Sequence, residues 1–132
     1  MSKRRGKAVY ELGVKSRFSA AHSLRDYAGK CASLHGHNWE VEVFVRGERL
    51  DRAGMVVDFG DLKQRVRAAL SRFDHCDLRQ LDEFRNENPT SENLARAVYM
   101  ALKKEMPRGR FRLSRVVVRE TPDSSAAYSE GE

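Results

Sequence analysis

Three of the chain's four histidines have a spacing that could bind a metal ion. His35 and His37 stand two residues apart, so on an extended strand both side chains point to the same face. His22 ends an apolar stretch earlier in the chain. Three neutral imidazoles are a common zinc ligand set in catalytic sites, where a fourth position stays open for water or substrate. Any one of these histidines alone would be an ordinary strand or core residue, but the three together predict a zinc site.

A thiol stands close to the predicted zinc ligands. Cys31 precedes His35 by four positions, and in a basic protein its pKa could be lowered, which would make it a nucleophile or a base. It could instead be a fourth zinc ligand, in which case zinc would exchange the thiolate for substrate. The residues alone leave both roles open.

Two further positions carry groups that could take part in chemistry. Asp74 and His75 follow a predicted helix, and a carboxylate beside an imidazole can raise its basicity and fix its tautomer for proton transfer. Adjacent residues need not touch, so the simpler interpretation is that this pair ends the helix. Glu120 ends a predicted strand, where it could accept paired hydrogen bonds from a ligand or be an exposed acid.

The elements that position these groups can be predicted from hydrophobic periodicity. Apolar residues alternate along two segments that contain the histidines, which is the pattern of half-buried strands. Later apolar residues recur at helical spacing behind residues that can cap a helix. The order of elements indicates an α+β fold, with an antiparallel sheet and two helices on one face. The predicted elements are strands at 8–22, His35–Val45 and 111–121, a possible edge strand at 126–129, and helices that begin after Asp58 and at Thr90 or Ser91.

Composition limits the class of protein. With 132 residues, the chain is interpreted as one domain, 1–132, in which 1–7 is a solvated basic tail. A net charge of +6 and a pI near 9.6 favour an anionic partner such as nucleic acid or a phosphorylated substrate. Two cysteines, Cys31 and Cys76, without a signal peptide or long apolar run, indicate a soluble cytoplasmic protein, and a disulfide between them is not the default expectation.

Six segments together form a recognisable pattern: Phe18–His22, Cys31–Asn38, Gly54–Phe59, Asp74–His75, Glu87–Glu92 and Glu120–Thr121. In these segments and in their order, the chain resembles the family of 6-pyruvoyltetrahydropterin and 6-carboxytetrahydropterin synthases, over nearly its whole length. Three residues separate Cys31 from His35, and this gap is similar to that of the bacterial queuosine-pathway branch, the 6-carboxytetrahydropterin synthases. The pyruvoyl-forming branch typically has a longer gap.

The resemblance implies a fold and an assembly. The expected fold is the tunnelling fold, in which each subunit contributes a four-stranded antiparallel sheet with two helices on one face. Subunits oligomerise into a barrel, usually as two stacked trimers, so the expected state is a homo-oligomer, a trimer or a homohexamer. Active sites in that family lie between subunits.

The resemblance also implies roles for individual residues. The substrate would be 7,8-dihydroneopterin triphosphate, and a lyase reaction would give 6-carboxy-5,6,7,8-tetrahydropterin, acetaldehyde and triphosphate, with neither nucleic acid nor membrane as a partner. The basic residues that contact the triphosphate cannot be assigned among Lys15, Arg17, Arg110, Arg112, Arg115 and Arg119. The implied site comprises zinc ligands His22, His35 and His37, the catalytic thiol Cys31, the proton-relay pair Asp74 and His75, the pterin anchor Glu120, and Thr90 and Ser91 near the pterin ring.

Two other functions compete with this interpretation. The first is formation of 6-pyruvoyltetrahydropterin from the same substrate by the same kinds of residue. The second is a non-enzymatic, zinc-stabilised RNA-binding module, suggested by the pI and by the arginines of Arg108–Arg119, although aromatic residues are not interleaved with them. Two positions depart from the family pattern: Trp39, where tyrosine is frequent, and Arg79, where asparagine is frequent.

Overall fold

Two long antiparallel strands form the centre of the fold. The computed structural model describes residues 8–25 and 33–131, and in it β1 (Tyr10–His22) and β2 (His35–Gly47) pair over their whole length. Alternate residues of β2, from Trp39 to Val45, are completely buried, and the residues between them are partly exposed. The alternation in the sequence therefore predicted both strands correctly, with β1 starting two residues later than 8 and β2 ending two residues beyond Val45.

The other strands extend the sheet on both sides. β4 (Phe111–Thr121) pairs antiparallel with β2, and β5 (Ser124–Tyr128) pairs antiparallel with β4. β3 (Cys76–Asp77) pairs parallel with β1, so the strand order is β3-β1-β2-β4-β5. The prediction of a four-stranded antiparallel sheet was therefore wrong, because the sheet has five strands and is mixed. A two-residue strand is too short to show alternation in the sequence.

Both helices begin at the predicted capping residues. α1 (Phe59–Leu70) starts after Asp58, whose side chain accepts a hydrogen bond from the backbone N–H of Asp61. α2 (Ser91–Glu105) starts after Thr90, so Thr90 is the capping residue and Ser91 is the first residue of the helix. Between the two helices lie short 3₁₀ turns at Ser71–Phe73, Leu78–Gln80 and Asp82–Phe84. None of the helices within the described ranges has the length and apolar character needed to cross a membrane.

One hydrophobic core joins the helices to the sheet. It contains the buried faces of β1, β2 and β4 together with Leu62 and Val66 of α1 and Leu94 and Val98 of α2. The helices therefore cover a single face of the sheet, as the sequence predicted. His22 is the buried polar residue of this face, at 2% exposure, and it lies at the end of the core. The core thus fixes the strand ends that carry the histidines.

The N-cap of α2 gives a test of the fold. The Thr90 hydroxyl oxygen accepts a hydrogen bond from the backbone N–H of Asn93 at 3.1 Å. We expect Thr90→Ala to lower the free energy of unfolding by about 1 kcal/mol, since an N-terminal amide then loses its partner. Thr90→Ser should keep most of the stability. Urea unfolding followed by circular dichroism would measure both, and equal stability of the alanine variant and the unsubstituted protein would contradict the capping role.

Candidate metal centre

The three predicted ligands converge at one end of the β1–β2 pair. His22, the last residue of β1, lies directly opposite His35, the first residue of β2. His37 lies opposite Ala20, on the same face of β2 as His35. Each histidine offers one ring nitrogen to a cluster in which these atoms all lie within 4.8 Å of one another. The structure therefore brings together the three histidines that the sequence predicted to share a metal ion.

Backbone carbonyls determine which ring nitrogens carry protons. His22 Nδ1 lies 2.8 Å from the carbonyl oxygen of Pro89, and His35 Nδ1 lies 2.7 Å from that of Ser33. A carbonyl can only accept, so each Nδ1 carries the proton and donates it, which leaves a lone pair on each Nε2. These two Nε2 atoms are 3.0 Å apart. Two lone pairs at that distance repel each other unless a cation or an added proton lies between them.

His37 supplies the third nitrogen. Its Nε2 is buried and has no hydrogen-bond partner among the described residues. Burial lowers the pKa of His37. Glu120 raises this pKa by a smaller amount, and His22 and His35 lower it further, so the ring is neutral at physiological pH. Trp39 lies beneath the cluster and contacts the rings of His22 and His37. Three converging imidazoles, one of them with an unpartnered nitrogen, fit a metal ion.

A carboxylate faces this cluster from the neighbouring strand. Glu120 Oε1 lies 3.7 Å from His22 Nε2, and Glu120 Oε2 lies 3.8 Å from His37 Nε2. Both distances are too long for hydrogen bonds. The side chain is 29% exposed, so the carboxylate lies between the histidine cluster and solvent.

Asp74 and His75 do touch each other. His75 Nδ1 lies 2.9 Å from Asp74 Oδ1, which also accepts a hydrogen bond from the backbone N–H of Ser19. The bond from Ser19, helped by His75, lowers the pKa of Asp74, so this group stays ionised at neutral pH. An ionised acceptor keeps the proton of His75 on Nδ1 and leaves Nε2 free as a base. The sequence alone favoured a simple helix end, whereas the structure shows that the two side chains are in contact.

His75 reaches this position through an unusual backbone conformation. Its φ is +57°, in the left-handed region, which costs a residue with a side chain about 1–2 kcal/mol. The conformation lets the His75 backbone N–H donate to the carbonyl of Ser19 at 2.6 Å while the ring stays 82% exposed. His75 and His37 both line an open depression of about 500 Å³. Ser19, which holds the pair, lies three residues or about 10 Å from His22 along β1.

Comparison with known proteins identifies the family of the chain. A family model described as 6-pyruvoyl tetrahydropterin synthase matches residues 11–131. The chain belongs to this family.

Relatives and solved structures place the chain within the family. It is 41% identical to a putative 6-carboxy-5,6,7,8-tetrahydropterin synthase of Archaeoglobus fulgidus, over 69% of this chain and 74% of that protein. It is 32% identical to the 6-carboxy-5,6,7,8-tetrahydropterin synthase of Bacillus subtilis, over 90% and 84%. The structure of 6-pyruvoyl tetrahydropterin synthase from Caenorhabditis elegans superposes with a TM-score of 0.82 at 30% identity and covers 95% of this chain and 98% of that one.

The remaining predicted site residues divide into two groups. Thr90 and Ser91 begin α2 next to Pro89, whose carbonyl orients His22, so they lie close to the histidine cluster. The Thr90 hydroxyl oxygen accepts the capping hydrogen bond, so the hydroxyl proton remains available for donation to another partner. Cys31 lies outside the described residues, and its predicted role remains a prediction.

Most of the basic residues that the sequence offered as triphosphate ligands lie far from the cluster within one chain. Arg112 and Arg115, at the start of β4, are eight and five residues from Glu120, or about 26 and 17 Å along an extended strand. Arg119 is adjacent to Glu120, but its guanidinium pairs with Glu40 and Glu42. The positive charge of β4 is therefore not concentrated at the histidines.

Two basic residues nearer the histidine cluster, Arg25 and Arg79, were not among the triphosphate ligands considered from the sequence. Arg79 donates a hydrogen bond to the hydroxyl of Ser23 at 3.4 Å, next to His22. Arg25 donates to the carbonyls of Phe84 and Arg85. Within the described ranges, neither arginine pairs with a carboxylate. The only signal in the sequence was Arg79 itself, which stands where the family often has asparagine.

The left-handed conformation of His75 can be tested separately from its chemistry. We expect His75→Gly to unfold with a free energy about 0.5–1 kcal/mol higher than His75→Ala, because glycine adopts φ of +57° without a steric penalty. Both variants lose the ring and its bond to Asp74, so the comparison isolates the backbone. Chemical denaturation measures the difference, and an alanine variant at least as stable as the glycine variant would rule out backbone strain at this position.

Proposed function

We propose that this chain is a zinc-dependent carbon-carbon lyase that converts 7,8-dihydroneopterin triphosphate to 6-carboxy-5,6,7,8-tetrahydropterin, acetaldehyde and triphosphate, in the queuosine pathway. The observation that supports this most strongly is the convergence of three imidazole nitrogens at one end of the sheet. Similarity to proteins named 6-carboxy-5,6,7,8-tetrahydropterin synthase supports this branch of the family. The short segment between Cys31 and His35 also supports it.

The proposed metal ligands are His22, His35 and His37. Zinc bound there would supply a Lewis acid that polarises the hydroxyl groups of the substrate side chain. The chain prepares its ligands for this: the Pro89 and Ser33 carbonyls hold two rings in the metal-binding tautomer. A hydrogen bond from Nδ1 to a carbonyl orients the ring and raises the basicity of Nε2, the nitrogen that would bind the metal.

The proton transfers are assigned to His75 and Cys31. His75, held by the ionised Asp74, offers a free Nε2 that can take a proton from a side-chain carbon and return it. Cys31 as a thiolate provides a second base, which is useful because elimination of triphosphate and cleavage of the carbon-carbon bond move several protons. Glu120 is proposed to accept the two hydrogen bonds of the pterin's amide and amino groups, with Thr90 and Ser91 beside the ring.

The triphosphate is assigned to two arginines that were not among the six basic residues considered from the sequence. Arg25 and Arg79 lie near the end of β1 and carry positive charge that no carboxylate of the described residues neutralises. Phosphate groups bind well to guanidinium groups in this state. Arg115, in contrast, stacks over Phe44 and lies 3.8 Å from Glu11.

The active enzyme is proposed to be a homo-oligomer, a trimer or homohexamer, with active sites between subunits. Among the described residues, β1 pairs on its outer side only through Ala20 and Ala21, and β5 forms the opposite edge of the sheet. Long open edges favour pairing with another sheet. The ring of His75 is 82% exposed at the β1 edge, where it could serve a site completed by a neighbouring subunit.

The reaction can be tested directly by product analysis. We expect zinc-loaded protein incubated with 7,8-dihydroneopterin triphosphate to release acetaldehyde and form a 6-carboxypterin product, measured by aldehyde assay and mass spectrometry. A pyruvoyl product without acetaldehyde would instead establish the sister activity, which the similarity to the C. elegans enzyme keeps as a second candidate. No turnover, together with salt-dependent RNA binding that survives His35→Ala, would contradict both.

Cys31 can be separated from the metal ligands by one substitution. We expect Cys31→Ala to keep one zinc per chain, because three imidazoles remain, and to lose at least about 100-fold in rate, as removal of a general base does. Metal analysis and the acetaldehyde assay measure the two effects. Cys76→Ala is the matched control, since that cysteine is free and its thiol points to the carbonyl of Phe73. Loss of zinc from Cys31→Ala would make Cys31 a ligand instead of a base.

A further inference from the structure

The ring of His22 is held by a segment that is distant in the sequence. Its Nδ1 donates to the carbonyl of Pro89 at 2.8 Å, and this hydrogen bond is buried. Pro89 is itself buried and immediately precedes Thr90, the N-cap of α2. A carbonyl can orient a metal-binding imidazole only if the carbonyl is held in place. The orientation of His22 therefore depends on the contacts that hold Pro89 against the end of β1.

Asn88 ties this segment to the chain that follows β1. Its side-chain oxygen accepts a hydrogen bond from the backbone N–H of Arg25 at 2.7 Å, and its side-chain nitrogen donates to the backbone carbonyl of Arg25, also at 2.7 Å. The side-chain amide thus uses its acceptor and one donor on the main chain of a single residue, as one strand does with its neighbour in a sheet. Together with the bond of His22, these two hydrogen bonds close a ring between the end of β1 and the segment before α2.

The same segment is also held from the side of α2. The backbone carbonyl of Asn88 accepts a hydrogen bond from the side chain of Asn93 at 2.9 Å, and the Thr90 hydroxyl accepts one from the backbone N–H of Asn93. The proline ring restricts φ of Pro89. These restraints limit the directions in which the Pro89 carbonyl can point. Of the contacts made by Asn88, only those with Arg25 reach the β1 side.

A second link between the two segments uses the side chain of Arg25. Its guanidinium donates to the carbonyls of Phe84 and Arg85, at 3.3 and 3.0 Å. An arginine side chain has more rotamer freedom than an asparagine side chain, so it restrains the main chain less tightly. This link does not involve Asn88 and remains when Asn88 is replaced. The segment should then stay near β1 while the Pro89 carbonyl becomes freer to move.

We propose that Asn88 is a positioning residue of the metal centre: its two bonds to Arg25 hold the Pro89 carbonyl against His22. The ring is thereby fixed with Nε2 towards the other two histidines. A ring that is already oriented costs less free energy to order when an ion binds, so the bonds of Asn88 raise metal affinity. This inference rests on the metal role of His22 in the proposed function, and it extends the site to a residue that the sequence did not indicate.

Zinc affinity tests the proposal without depending on catalysis. Metal-free protein is titrated with zinc in competition with a chromophoric chelator. We expect Asn88→Ala to bind zinc at least about tenfold more weakly than the unsubstituted protein, as happens when a contact behind a metal ligand is lost. Asp58→Ala is the matched control, because it removes the N-cap of α1 and lowers stability but leaves the bonds of Asn88 intact. No loss of affinity in Asn88→Ala, or an equal loss in Asp58→Ala, would overturn the proposal.

Solvent exchange of two ring protons separates a local effect from a general loss of stability. The Nδ1 proton of His22 and the indole proton of Trp39, which is donated to the carbonyl of Ala20 at 3.3 Å, both lie in buried hydrogen bonds. We expect Asn88→Ala to speed exchange of the His22 proton at least about tenfold, because local opening of the segment becomes easier, and to leave the Trp39 proton unaffected. NMR of the zinc-loaded protein measures both rates. Equal acceleration of the two would give Asn88 a general structural role and contradict the proposal.

A second substitution keeps the proposal testable if the alanine variant does not fold. Asn88→Asp retains an acceptor for the Arg25 N–H and loses the donor to the Arg25 carbonyl. Exchange of the His22 proton should therefore be faster in this variant than in the unsubstituted protein, and slower than in Asn88→Ala where that variant folds. A rate equal to that of the unsubstituted protein would count against the positioning role.

Failure of this inference is distinguishable from failure of the proposed function. If the unsubstituted protein binds no zinc, the metal centre is overturned, and the inference with it. If zinc affinity and ring exchange respond as expected but no acetaldehyde is released, the proposed reaction is contradicted while Asn88 remains a positioning residue. If acetaldehyde forms but Asn88→Ala keeps both its zinc affinity and its slow ring exchange, only the role of Asn88 is overturned.

Discussion

The register between β1 and β2 is the constraint on which the site depends. His22 and His35 face each other only because Phe18 pairs with Trp39 and Val14 with Val43 further along the same ladder. These apolar residues are buried against the helices, so the register is held by the core. A slip of one residue would turn a whole strand face from the core to solvent, and the histidines would move with it. Core packing and ligand convergence are thus parts of one arrangement.

This constraint also brings two ring nitrogens so close together that a cation or an added proton between them is needed to prevent repulsion. The carbonyls of Pro89 and Ser33 fix two lone pairs at 3.0 Å, and burial keeps the third ring neutral. The pairing of Glu40 with Arg119 brings Glu120 to the same end of the sheet. The free energy needed to hold these groups together is supplied by folding of the core. The core thus holds the three histidines close together, in an arrangement that could hold a metal ion.

Much of this arrangement was predictable from the sequence, because the responsible signals are local. Alternation predicted β1 and β2 and placed His22 on the apolar face, and the run of valines at Val116–Val118 predicted β4. Side-chain oxygens at Asp58 and at Thr90 or Ser91 predicted the starts of both helices. The spacing of His35 and His37 predicted a common face. Each of these signals lies within a few residues of the feature that it predicts.

The features that were missed depend on contacts between distant residues. The carbonyl of Pro89 orients His22 from 67 positions away, and a backbone carbonyl leaves no mark in a sequence. The approach of Glu120 to the histidines depends on the register between β2 and β4. The short parallel strand Cys76–Asp77 exists because the turn at His75 is tied to Ser19. Sequence patterns identify the elements, whereas these contacts are determined by their packing.

β1 connects the two chemical centres. Its last residue is a proposed metal ligand, and three residues earlier the N–H and carbonyl of Ser19 hold Asp74 and His75. The same N–H lowers the pKa of Asp74, which in turn fixes the tautomer of His75. Because a strand in a sheet is stiff, the spacing between His22 and the Asp74–His75 pair within one chain is determined by the strand and not by a flexible loop. The strain at His75 is consistent with this, since the left-handed backbone is maintained where it lets the ring reach Asp74 while the main chain stays paired with β1.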